Sequence, residues 1–321
     1  MTTLDSMVDP DLQTLIDSVA QAHSGNDGDL WHALVELGLS DLTGSEVRGG
    51  SGASWPEAAA LTRTLARHGF RLGVADSDLV AGWLLEQSSA PAEQALRAVL
   101  ILNDGEPDFS GLSDLVERVV VVARDDQGWS VTDVPVDAAD RYSSGEFARY
   151  RVSDDVVDVA RIRQALARAI QITGALEAIT ELTVEHAQTR EQFGRPIGKQ
   201  QAVQRLVAGV AGETALARAA TDAAVLAAAD PSTPPAQVQA MVAVARSCCG
   251  HAVDPVVRQA HQVIGAIGTT REHRLHQFTS AAMALRSDGG STRHWDAVVL
   301  DHAVRSLPLS ELELSAASSL K

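Results

Sequence analysis

From Val159 to about Leu307 apolar residues recur at helical spacing, interrupted only by a few Gly and Pro breaks. Ile162, Leu166, Ala169, Ile170, Thr173 and Leu176 share one stripe, and Val203, Leu206, Val207, Val210 and Leu216 form another after the Gly194–Gly198 break. Asp230-Pro231-Ser232-Thr233-Pro234-Pro235 is a loop, and a third long helix is expected over about Ala236–Val263. Gly265–Gly268 breaks that helix, Arg271–Met283 resumes, and a last helix covers about Asp296–Val304 before a frayed tail, Ser315–Lys321. Alanine supplies much of the apolar share, and aromatics make up only 4% of the chain. Neither alanine nor leucine is β-branched, so the composition favours helix. Long helices joined by short loops pack as antiparallel neighbours, and this half of the chain is therefore read as a helix bundle.

The rest divides in two. Residues 1–112 read as helical, with Asp9-Pro10 opening one helix and Leu30, Trp31, Leu34, Val35 and Leu37 forming a further stripe. Gly49-Gly50-Ser51-Gly52 makes a loop, and Ser54-Trp55-Pro56-Glu57 restarts a helix with a capping-box pattern. Residues 113–157 differ: Val119–Val122 is a β-branched run, Asp125–Gly128 a turn, and Trp129, Val131, Val134 and Val136 follow. This is a reduced strand-rich insert, and residues 158–321 form the bundle. At 321 residues the chain holds about two domains or one large fold.

The net charge of −16 argues against nucleic acid and anionic membranes as main ligands. No signal peptide is visible at Met1–Asp5, and no apolar run reaches the ~18 residues of a membrane span. Cys248 and Cys249 are adjacent, poorly placed to bridge each other, and read as small core residues in a reduced, cytoplasmic setting.

The most informative stretch is Arg190-Glu191-Gln192-Phe193-Gly194-Arg195-Pro196-Ile197-Gly198, followed by Gln200-Gln201. An arginine at a helix end can reach across an interface to a pyrophosphate, and the glycines allow a tight backbone path. A second stretch is Gln262-Val263-Ile264-Gly265-Ala266-Ile267-Gly268. In order and spacing the two resemble the flavin-contacting signatures of acyl-CoA dehydrogenases, R-x-x-F-G-x-x-I and Q-V-x-G-G-x-G. Leu34-Val35-Glu36-Leu37-Gly38-Leu39 and the Gly49–Gly52 loop resemble that family's first domain. The resemblance implies a mainly α, acyl-CoA dehydrogenase-like fold: an N-terminal helical domain, a truncated β insert and a C-terminal helix bundle. It implies FAD contacts at Arg190, Gln192, Phe193, Gln201, Gln262, Gly265 and Ala266, the last in place of the family's second glycine.

The chain also departs from the pattern. The family abstracts an α-proton with a Glu before the last helix. Gly289 stands at that position, inside Ser287-Asp288-Gly289-Gly290-Ser291, with Asp288 one residue away. Some members carry the Glu on the helix before the R-x-x-F-G motif, where this chain has Gln164, which cannot take a proton at neutral pH. The family's middle β-barrel is represented only by residues 113–157. In the family, FAD lies across a dimer interface, and the residues kept here are of the neighbour type. The resemblance therefore implies a partner: a full-length acyl-CoA dehydrogenase subunit that supplies the base, in an α2β2 heterotetramer with two FAD. This layout looks like the heteromeric enzymes of bacterial steroid catabolism, which shorten cholesterol side chains or process ring-derived CoA thioesters. An acyl-CoA substrate and an electron-transfer flavoprotein acceptor follow from the same resemblance. Two other readings stand beside it, a self-sufficient homomeric dehydrogenase using Asp288 and a flavin-free degenerate scaffold. Of the remaining residues, Glu177 and Glu185 read as solvated charges, and His251 and His261 as core or surface histidines without metal spacing. Arg161, Arg163 and Arg168 read as a solvated face or as contacts to CoA phosphates or a partner carboxylate.

Overall fold

The computed structural model describes residues 4–306, so the Ser315–Lys321 tail lies outside it. Helix α1 (Pro10–Ala22) begins where expected: the Asp9 carboxylate accepts from the Asp11 N–H at 2.7 Å, and Pro10 occupies a position whose N–H would be unpaired anyway. Helix α2 (Asp27–Glu36) buries Leu30, Trp31 and Leu34 against it. Helix α3 (Trp55–His68) opens with the Ser54 N–H donating to Glu57 Oε2 at 3.1 Å. A π-helical turn, Asp76–Gly82, runs directly into α4 (Trp83–Gln87).

The insert is a four-stranded sheet of β1 (Arg97–Ile101), β2 (Arg118–Asp125), β3 (Gly128–Pro135) and β4 (Tyr150–Val152), in that spatial order. The valine run fills the middle strand, and Val119–Val122 are all fully buried. Val120 and Val122 pack toward α4, while Val119 and Val121 pack under the segments that cover the outer face. Asp125 pairs with Gly128 at the expected turn. Strand β1 is a correction, because it falls inside the segment read as helical. Its sequence, Arg-Ala-Val-Leu-Ile, is a short apolar run that periodicity does not separate from buried helix. It is a strand because β2 offers an open edge, and residues 102–117 supply the crossover that a parallel pair needs.

The bundle holds α5 (Asp154–Thr189), α6 (Gln201–Ala229), α7 (Pro235–Ile264), α8 (Leu275–Ser287) and α9 (Thr292–Ser306). Its core is built largely from Ala, Val, Ile and Leu, and it includes Cys249, which lies among Thr173, Thr221 and the Ala169 carbonyl. Small residues let the helices approach closely: a Cβ at Gly174 of α5 would lie 2.4 Å from the Arg63 carbonyl of α3. Among the described residues no helix is long and apolar enough to cross a membrane.

Candidate functional site

Helix α5 ends at Arg190, where the chain turns into a two-strand hairpin, β5 (Glu191–Gln192) and β6 (Arg195–Pro196). Phe193 (φ +54°) and Gly194 (φ +76°) form its tip, both left-handed, as a tight two-residue turn requires. Glycine is free there, whereas phenylalanine is not, and Phe193 is 92% exposed. The hairpin closes with the Ile197 N–H donating to the Arg190 carbonyl at 2.8 Å. Gly198 then passes so near α5 that a Cβ would lie 2.8 Å from the Ala187 carbonyl. Gln200 caps α6, and Gln201 is its first residue.

The second segment terminates α7. Gly265 has φ +77° and ψ −157°, a region open essentially to glycine alone, and nothing fills the space beside it. A Cβ on Gly268 would meet Leu275 and Ile264. Ala266 is exposed and is not among the left-handed residues, so its methyl strains no backbone. Ala187, Ile197 and Val263 form one small buried cluster that brings the two segments to the same end of the bundle. Arg190, Gln192, Gln201 and Gln262 are exposed there, and none makes a side-chain hydrogen bond or ion pair among the described residues. Arg195, Lys199 and Arg205 are exposed nearby in sequence, with Glu191 among them. His186 and His273 meet edge to face with ring centres 6.5 Å apart, and burial, then the charge of His273, holds His186 below its ordinary range. This end of an acidic chain therefore offers unpaired donors and bare backbone, a fit to the phosphate and adenosine part of a dinucleotide.

The other half of the expected site is built differently. The loop between α8 and α9 runs through Gly289 (φ +68°) and Gly290 (φ +120°). A Cβ on Gly289 would lie 3.9 Å from Gln164 Oε1, so the two positions that could carry a base face one another, and neither carries an ionisable group. Asp288 turns its carboxylate to Arg168 Nε, while Arg168 Nη2 also reaches Asp76 at 2.9 Å. Burial works to lower Arg168, but Asp76 and Asp288 outweigh it and raise the guanidinium above its usual value. Arg246 holds the same loop from beneath, with Nη2 donating to the carbonyls of Asp288 at 2.7 Å and Gly290 at 3.2 Å.

Two readings of isolated charges change. Arg161 is at the surface, bonded to Asp158 and Asn103, but Arg168 has only 7% of its side chain exposed and Arg163 stacks between Trp55 and Trp83. The three do not form one basic face, because two of them point into the molecule. Glu177 is likewise no solvated charge: only 12% of its side chain is exposed, and it pairs with Arg218 at 3.2 Å across α5 and α6. The residue pattern does not announce the Arg168–Asp76–Asp288 network or the Arg246 clamp; its one local signal is an arginine set in an alanine-rich helix, as Arg168 is between Ala167 and Ala169.

Comparison with known proteins gives a consistent result. The family described as acyl-CoA dehydrogenase, C-terminal domain, matches residues 157–296. The chain is 30% identical over 277 residues to the acyl-CoA dehydrogenase IpdE2 of Mycobacterium tuberculosis, covering 80% of this chain and 81% of that protein. Among solved structures it is similar in fold to a chain of the ChsE4-ChsE5 complex from Mycobacterium tuberculosis, with a TM-score of 0.76, 21% identity, and coverage of 93% of this chain and 97% of that one. A chain of the Tcur3481-Tcur3483 steroid ACAD has the same TM-score of 0.76 at 18% identity, covering 92% of this chain and 97% of that one.

Proposed function

This chain belongs to the acyl-CoA dehydrogenase family, and from that membership we propose that it is the shortened subunit of a heteromeric, FAD-dependent enzyme. The enzyme introduces an α,β double bond into a bulky, steroid-derived acyl-CoA. FAD, when bound, supplies the hydride acceptor. This chain contributes Arg190, Gln192, Phe193, Gln201, Gln262, Gly265 and Ala266 to the ADP side of that cofactor. A full-length dehydrogenase partner contributes the base and covers the ring, in an α2β2 assembly with one FAD per heterodimer. An electron-transfer flavoprotein accepts the electrons, and the assembly works in the cytoplasm.

One observation carries the reading. The positions that could hold a base are Gly289 and Gln164, facing each other, while Arg190 and Gln262 stand exposed without side-chain partners among the described residues. A self-sufficient site needs a carboxylate at one of the first two positions, and a scaffold has no use for the second pair. Asp288 is a poor substitute, since a carboxylate drawn to Arg168 would have to leave an ion pair to reach a proton. The steroid class rests on the name of a protein similar in fold, the steroid ACAD.

Co-expression with the candidate partner and flavin counting per mole of each chain tests the proposal. One flavin per heterodimer is expected, with a colourless isolated chain. Arg190→Ala should then lower flavin occupancy by about tenfold, the worth of a lost charge-assisted bond to phosphate. Full occupancy in that variant, or a yellow and active lone chain, overturns the shared-site reading.

A further inference from the structure

Beside the first turns of α5 lies a groove of about 740 Å³ that contains none of the residues assigned above. Val159, Ile162 and Leu166 of α5 line it with Trp55, and Ala228 and Val238 close it from the α6–α7 side. Its volume is that of a small-molecule site. The remaining lining is mixed: Thr233, Gln239 and three aspartates stand with the apolar residues, and Arg163 is its one cation. The guanidinium lies 4.9 Å from the Trp55 ring centre and 5.0 Å from that of Trp83. Its Nε donates to the Leu79 carbonyl of the π-helical turn at 2.6 Å. Among the described residues no carboxylate comes within ion-pair distance of this guanidinium, and no hydrogen bond uses Nη1 or Nη2. Burial pushes Arg163 down to about 10, and the more distant Asp78 and Glu86 offset this only in part. Asp78 is itself engaged by Thr43.

A half-buried cation without a counter-ion is still disfavoured by lost hydration, and two tryptophan faces return only part of that cost. The groove thus provides one unsatisfied positive charge at the edge of an apolar surface. Its rim bears Asp155, Asp158 and Asp230. Asp158 is paired with Arg161, and Asp230 accepts from the Ser232 N–H and hydroxyl. Such a rim repels a polyphosphate such as that of CoA. A single negative charge on a hydrocarbon body meets it at far lower cost, because burial of the body is favourable.

We propose that this groove binds an amphipathic monocarboxylate, its head paired with Nη1 and Nη2 of Arg163 and its chain laid along Trp55, Ile162, Leu166 and Val238. Calorimetric titration of the full chain with dodecanoate and with dodecanol, which share a tail length, tests this. Dodecanoate should bind one per chain and about tenfold or more tighter than the alcohol, the worth of a charge-assisted bond. Arg163→Met should level the two affinities. Ala228→Trp fills the groove and leaves Arg163 stacked, and it should abolish binding of both. The proposal is overturned if wild type shows no saturable dodecanoate binding, if acid and alcohol bind equally, or if binding survives Ala228→Trp. Competition by CoA that also depends on Arg163 would overturn it as well.

Discussion

Asp78 lies in the π-helical turn with 3% of its surface exposed, accepting from the Thr43 N–H at 2.9 Å and the Thr43 hydroxyl at 2.8 Å. Burial pushes its carboxyl up to about 6, and the two Thr43 bonds only partly oppose this. An acid whose folded value lies above its unfolded value holds its proton more tightly when folded. The stability it provides is therefore full below 3.8, its unfolded value, and is lost as pH rises through about 6. The swing is about 2–3 kcal/mol, taking each unit as about 1.4 kcal/mol. Asp78→Asn keeps an acceptor for Thr43 and removes the titration. Urea unfolding at about pH 4 and about pH 7 should show the variant losing about 2–3 kcal/mol less than wild type across that interval. Asp125 and Asp296, held low by hydrogen bonds with Arg151 and Ser247 respectively, act in the opposite sense but cancel in the comparison. An equal loss in both proteins would mean that Asp78 does not carry the effect. None of this was readable from Asp78 as a letter, since the sequence does not say that Thr43 folds back over it.

At the scale of elements, the β5–β6 hairpin sets a local cost against a use. A left-handed phenylalanine loses roughly 1 kcal/mol relative to a residue that tolerates that conformation. Phe193 is nonetheless exposed and pays for no packing in its own chain. Phe193→Asn is expected to raise stability by about 0.5–1 kcal/mol in chemical denaturation and to lower flavin occupancy of the heteromer. A variant that gains stability and keeps its flavin would remove Phe193 from the cofactor surface. The helices on either side were legible because their apolar periodicity and Gly or Pro stops are local signals, and α7 lies within a residue or so of its expected bounds. Strand β1 was not legible, because its state depends on an edge supplied by β2, beyond the reach of local pattern.

Across the whole molecule, the retained and missing halves of the expected site lie on different parts of the bundle. One is the end formed by α5, α6 and α7, and the other is the loop between α8 and α9 clamped by Arg168 and Arg246. Restoring a carboxylate should therefore not restore a site. Gly289→Glu puts a carboxylate where the resemblance places the family's Glu, at φ +68° and beside Gln164. It is expected to cost about 1 kcal/mol or more in stability, and acyl-CoA-dependent dye reduction by the lone chain should stay at background. Turnover by that variant without a partner would show that the missing base alone separates this chain from a working dehydrogenase.

The sequence by itself determined the helical bundle, the valine-rich strand with its turn, and the order of the two glycine-bearing segments at the ends of long helices, because each is written in periodicity, turn chemistry or spacing along the chain. Tertiary structure alone decided which charges are inside. Arg161, Arg163 and Arg168 lie within eight positions of one another, yet one meets Asp158 and Asn103 at the surface, one meets two tryptophans and one meets two aspartates from distant segments. An arginine's surroundings are set by what packs across from it, and that is a property of the assembled fold.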